Sequence, residues 1–147
     1  MLTTHRTRTA AIALAAAAAF TFAGSGAANA APAIPLTIGQ ETPKPDAGPG
    51  ARGSFSYEIG VGELCYTLDV TGLSTPAAAA HVHLAPRNVA GPVVIPLVIV
   101  NATSFSVDTC VPADQAVLDA IEENPNAYYV NVHNSQNPPG EIRGQLK

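Results

Sequence analysis

The sequence predicts an all-β protein, an antiparallel β-sandwich of about seven to eight short strands with one short helix. Three observations carry this reading. Apolar and polar residues alternate with period two in several separate runs, turn-forming Gly, Pro, Asn and Asp divide those runs, and a single stretch repeats at helical spacing.

The first thirty residues follow the order of a secretory signal. His5, Arg6 and Arg8 form a basic start, Ala10 to Ala23 is an apolar stretch, and Ala28-Asn29-Ala30 is a small-residue cleavage site, so Ala31 is the expected first mature residue. The apolar stretch is short and alanine-rich beside the roughly 20 strongly apolar residues that a membrane span needs. No membrane span is expected after cleavage, and the protein is expected to be secreted. An uncleaved anchor is the alternative. Residues 31–147 are one domain's length of chain, enough for one modest core. They carry five basic residues against eleven acidic ones. With neither a basic patch nor an aromatic platform, nucleic acid is excluded as a partner.

Residues 34–53 hold a first strand, "AIPLTI", and then a Pro/Gly-rich loop, "ETPKPDAGPGARG", which must run irregular or extended. "SFSYEI" places Phe55, Tyr57 and Ile59 on one face and Ser54, Ser56 and Glu58 on the other. A short turn, "GVG", leads into "ELCYTLDV", where Leu64, Tyr66, Leu68 and Val70 alternate with Cys65, Thr67 and Asp69, so the two runs read as a hairpin. "AHVHLA" is the next strand. "PVVIPLVIV" is apolar without alternation and reads as a strand covered on both faces, with Pro96 forcing a bulge or an edge position.

"SFSVDTCV" again alternates, with Cys110 on its polar face. "PADQAVLDAIEEN" is the helical pattern, with Pro112 suited to its first turn, Val117, Leu118 and Ile121 as its apolar stripe, and Asn124-Pro125 as its stop. The end of the chain, from Ala127 to Lys147, reads as two strands around the turn "NSQNPPG". Val130 and Val132 oppose Asn131 and His133, and Ile142 and Leu146 oppose Glu141, Arg143 and Gln145.

Cys65 and Cys110 both fall on polar faces of their strands, and an exported chain meets an oxidising environment, so a disulfide is expected. A reduced pair kept for metal or redox chemistry is the alternative, although the wide separation is unlike a C-x-x-C site.

These residues bring a family into view. From about Ile34 to Lys147 the chain resembles the CHRD domain, a module named from chordin and found in exported bacterial proteins. The marks are "LTIGQETP", Gly53, "AHVHLA", "GPVVIPL" and above all "YVNVHNSQNPPGEIRGQL". The resemblance implies a β-sandwich and, as in chordin, a place within a protein that binds growth factors. It implies no defined activity for a bacterial member standing alone. Cys65 and Cys110 are not part of the family pattern, so the disulfide rests on compartment and face.

After the signal, the chain has three histidines, and all three lie in those motifs. His81 and His83 share one face of a strand, and His133 lies on the polar face of another beside Asn131. Three imidazoles with an open position suit copper or zinc. The set is similar to the copper half of copper-zinc superoxide dismutases, with His81 and His83 as the first pair, His133 as the late ligand and Arg143 as the arginine. It departs from them in having no bridging histidine and no zinc-loop cluster. Glu141, Arg143 and Asn131 are the candidates to contact the ligand rings and orient them, as the other N–H of a ligand imidazole usually finds such a partner. The competing reading makes the rings hydrogen-bonded parts of the sheet, tied to groups such as Glu141 or Asn131, and makes Glu141 and Arg143 a surface ion pair.

No G-x-S-x-G and no nucleotide-binding glycine loop occurs, and no nucleophile lies near a histidine in a known pattern, so catalysis is not indicated. The sequence therefore predicts an exported binding protein. It would hold copper or zinc through His81, His83 and His133, or alternatively act as a metal-independent module for an extracellular protein or cell-surface partner. A copper-dependent superoxide dismutase-like enzyme is the second alternative.

Overall fold

The computed structural model describes residues 33–147; the expected signal and its cleavage site lie outside them. Eight strands form in chain order: β1 (Ile34–Thr37), β2 (Arg52–Ile59), β3 (Glu63–Thr71), β4 (Ala77–Leu84), β5 (Val93–Leu97), β6 (Phe105–Pro112), β7 (Tyr128–Asn134) and β8 (Ile142–Gln145). One helix, α1 (Gln115–Glu123), precedes β7. The spatial order is β5-β4-β7-β8-β1-β2-β3-β6, and every pairing is antiparallel. β8 and β1 meet at a single paired position, Thr37 opposite Arg143. That thin junction divides the sheet into two four-stranded layers.

The layers enclose one core because each strand turns its apolar alternate inward. Phe55, Leu64, Tyr66, Leu68 and Val70 come from one layer, and Ala80, Val82, Ile95, Val130, Val132 and Ile142 from the other. The segment after β5 crosses between layers and is pinned on both sides. Tyr66 Oη accepts from Val98 N at 2.7 Å and donates to Val98 O at 2.9 Å, while Leu73 N and Ala77 N donate to Thr103 O and Ala102 O. Of the α1 stripe, Leu118 and Ile121 are fully buried in the same core and Val117 packs partly buried against it.

Two elements differ from the sequence reading. The apolar run from Pro92 to Val100 yields a five-residue strand that is not covered on both faces, with Val93, Val98 and Val100 about half exposed; it lies at a sheet edge, one of the two outcomes expected from Pro96. Pro96 explains the edge position, since a residue without an N–H cannot serve two neighbours. Pro112 closes β6 instead of opening α1, whose N-cap is Asp114, its carboxylate accepting from Ala116 N at 2.8 Å.

Cys65 and Cys110 form a disulfide between directly opposed positions of β3 and β6, on the face turned away from the core. The bridge closes a loop with a sequence separation of 45. Replacing both cysteines with alanine is expected to cost about 2–4 kcal/mol, chiefly by freeing the unfolded chain. Urea unfolding of the double variant checks this, and an unchanged midpoint would show that the bridge adds nothing to the strand pairing.

Candidate metal centre

β4 and β7 are neighbours, and their register builds the site. His81 lies opposite Asn131, His83 opposite Tyr129 and Ala79 opposite His133, so from Ala79 onward the odd-numbered residues of β4 share with those of β7 the face turned away from the core. The polar alternates expected to be wet are largely covered. Asn131, Glu141, Arg143 and His83 are all buried, under segments that follow β4, precede β8 and follow β1.

The three rings converge. Centroids of His81 and His133 are 4.9 Å apart, those of His81 and His83 5.6 Å, and those of His83 and His133 5.8 Å. One nitrogen from each ring lies within 4.8 Å of the others. Nitrogens bound at about 2.0–2.1 Å to a tetrahedral ion sit roughly 3.3 Å apart, so the widest pair must close by at most about 1.5 Å. His81 Nδ1 and His133 Nε2 are already at 3.0 Å.

Backbone carbonyls decide which nitrogens present lone pairs. His83 Nδ1 is 2.9 Å from Gly91 O and His133 Nδ1 is 2.8 Å from Pro138 O. A carbonyl only accepts, so both Nδ1 atoms carry hydrogens and both Nε2 atoms offer lone pairs. His81 Nδ1 then donates to His133 Nε2 in the metal-free protein; an ion would replace that hydrogen bond, His81 carrying its hydrogen on Nε2 instead, and the donor set would then be His81 Nδ1, His83 Nε2 and His133 Nε2. Ligand imidazoles in metal sites are oriented by such carbonyl bonds.

The electrostatics keep the rings neutral. Burial pushes His133 from 6.5 down to about 4, the Pro138 carbonyl opposing and the nearby His81 and His83 reinforcing the shift. His81 is lowered by burial and then by His83. His83 is lowered chiefly by burial and also by the Arg143 charge, against the Gly91 carbonyl and the neighbouring Asn131 side chain. A neutral buried imidazole holds fewer protons folded than unfolded, so its contribution is intact above 6.5 and is lost as pH falls toward about 4. Denaturant midpoints of metal-free protein should therefore decline between those values, and His133→Asn should flatten the decline.

Arg143 is not an ion-pair partner of Glu141. Its guanidinium carbon lies 3.3 Å from the centroid of the Tyr129 ring, and that ring stacks on His83 at 4.7 Å with an 8° interplanar angle. Arg143 Nη1 donates to Val89 O at 2.9 Å and Nη2 to Pro86 O at 3.0 Å, tying the segment after β4 across Tyr129. Glu141 does not reach His133 either. Its carboxylate accepts from Ser74 N at 2.9 Å, from Ser74 Oγ at 2.8 Å and from Asn134 Nδ2, so it fixes the entry to β4. Asn131 alone of the three expected partners lies beside the rings. The second cluster of ligand-type side chains, Glu63 with Cys65 and Cys110, is closed by the disulfide.

Four contributors escaped the sequence reading. Tyr129 falls on the face of Asn131 and His133 by simple period two, and that signal was available. Glu41 lies within the motif "LTIGQETP" but far from the histidines in sequence. Gly91 and Pro138 act through carbonyl oxygens, which side-chain patterning does not register.

Fold and site define an all-β sandwich domain carrying a partly covered three-imidazole cluster on one outer face. The chain belongs to the CHRD family: the profile described as CHRD domain matches residues 33–146. No curated protein and no solved structure matches it.

Proposed function

We propose that this CHRD domain is an exported binding protein that holds a copper or zinc ion through His81, His83 and His133. One observation carries the reading: one nitrogen from each of the three rings lies within 4.8 Å of the others, and carbonyl bonds at Nδ1 of His83 and His133 leave Nε2 as the lone-pair nitrogen of both rings. All-nitrogen ligation without thiolate or carboxylate suits both metals. Export is read from the first thirty residues, and the Cys65–Cys110 bridge supports it. Elemental analysis of protein purified without a histidine tag tests the reading. About one equivalent of copper or zinc is expected, lost with chelator and absent from the triple alanine variant; apo protein that refuses both ions would remove it.

A metal-independent interaction module is the second reading, favoured by the partly exposed Leu84, Val89, Val93, Val98 and Val100 on β4, β5 and the segments beside them. It predicts partner capture unaffected by chelator. Copper-dependent superoxide turnover is weakened as a reading, because Arg143 is bound to carbonyls behind Tyr129 and offers no free guanidinium to an anion. Among the described residues no helix is long and apolar enough to cross a membrane.

A further inference from the structure

Asn131 is fully buried between the histidines, and its amide orientation is fixed by what its nitrogen touches. Nδ2 donates to Glu41 Oε2 at 3.3 Å and to Pro139 O at 3.1 Å. Oδ1 is thereby turned the other way, and it receives no hydrogen bond from the protein. The same is true of His83 Nε2, whose ring has already given its hydrogen to Gly91 O. Two neighbouring buried acceptors without a donor are unusual, because folded proteins pair nearly all such groups.

A second feature shows that the arrangement is built. Gly140 has φ +136°, and a Cβ there would overlap Glu41 Oε2 and come within 2.6 Å of Asn131 Nδ2. Any side chain would separate the carboxylate from the amide it holds. An amide oxygen is a weak ligand for copper or zinc beside imidazole. A solvent molecule on such an ion is a strong hydrogen-bond donor, and sites with three protein ligands keep a fourth position for one.

We propose that Asn131, oriented by Glu41, is a positioning residue that accepts a hydrogen bond from the solvent molecule at the open fourth position of the His81–His83–His133 site. This rests on the metal-binding reading above. A small monodentate anion is then the class of outside ligand that competes for this position, and Asn131 sets the solvent's hold against it.

The test uses copper(II)-loaded full-length protein titrated with azide, together with proton ENDOR before and after exchange into D2O. Wild type should show exchangeable solvent protons on the copper. Asn131→Ala should keep one copper per chain, alter those couplings and bind azide about tenfold more tightly, the effect of losing one hydrogen bond. Glu41→Leu should move azide affinity in the same direction, and Glu41→Gln, which keeps an acceptor for Nδ2, should restore it. The Glu41 pair decides the matter if Asn131→Ala does not fold. Copper-loaded variants with lower melting temperatures but wild-type azide affinity and couplings would reduce Asn131 to a packing role and overturn the proposal. Wild type that takes up no copper would instead overturn the reading beneath it.

Discussion

Gly91→Ala is expected to destabilise the domain by about 4 kcal/mol or more, placing it among the rare severe single substitutions. An added Cβ would overlap the Leu84 carbonyl oxygen, 2.7 Å from the carbonyl carbon and 2.8 Å from Ala85 Cβ. These obstacles are mostly backbone, so no side-chain rotation relieves them. Leu84 cannot retreat, because it ends β4, is paired with β7 opposite Tyr128, and donates to Pro92 O. Gly91 also holds the site, its O accepting from His83 Nδ1 and its N donating to Tyr129 Oη at 3.2 Å. Melting should fall by about 10 °C or more, and any folded fraction should bind metal at least about tenfold more weakly because His83 loses its orienting carbonyl. Gly48→Ala is the control, since a Cβ there meets nothing within 4 Å. A Gly91→Ala protein that melts with wild type would show that the close approach of these two segments is dispensable.

Loss of a ligand is the second large effect. His83→Ala and His133→Ala are each expected to weaken copper or zinc binding by about two orders of magnitude or more, equivalent to roughly 3 kcal/mol. The remaining pair of nitrogens cannot make up for a third of the protein donors. Arg143→Met should act more mildly, by about tenfold to a hundredfold, since it loosens the Tyr129 stack and the Pro86 and Val89 carbonyls without removing a ligand. Calorimetric titration of the three variants gives the ranking. An Arg143→Met defect as deep as that of His83→Ala would mean that the brace, and not the donor set, determines affinity.

Period-two alternation made β2, β3, β6 and the β7–β8 pair legible, because each has one face in the core and one outside it. For β5 the edge position was legible in Pro96, but its length and exposure were not, because an apolar run looks doubly covered until its neighbours are known. The disulfide was legible once both cysteines were assigned to polar faces of strands, and their direct opposition follows from the β3–β6 register. The triad of histidines was legible as a shared face, but its convergence needed β4 and β7 to be neighbours, which no local pattern fixes.

Glu141 and Arg143 misled for a different reason. A charged residue on a polar alternate suggests solvent or an ion pair, yet other segments cover this face and give both side chains uncharged partners, Ser74 and Asn134 for one, carbonyl oxygens and Tyr129 for the other. Burial of a polar face by loops far away in sequence has no periodic signature.

Calorimetric titration of copper(II) and zinc into metal-free wild type, beside the variant with His81, His83 and His133 all replaced by alanine, tests the central claim most directly. The expected result is one ion per chain with Kd below about 10 micromolar in wild type, and no binding in the triple variant. A flat wild-type titration, or an isotherm that the triple replacement leaves unchanged, would contradict it.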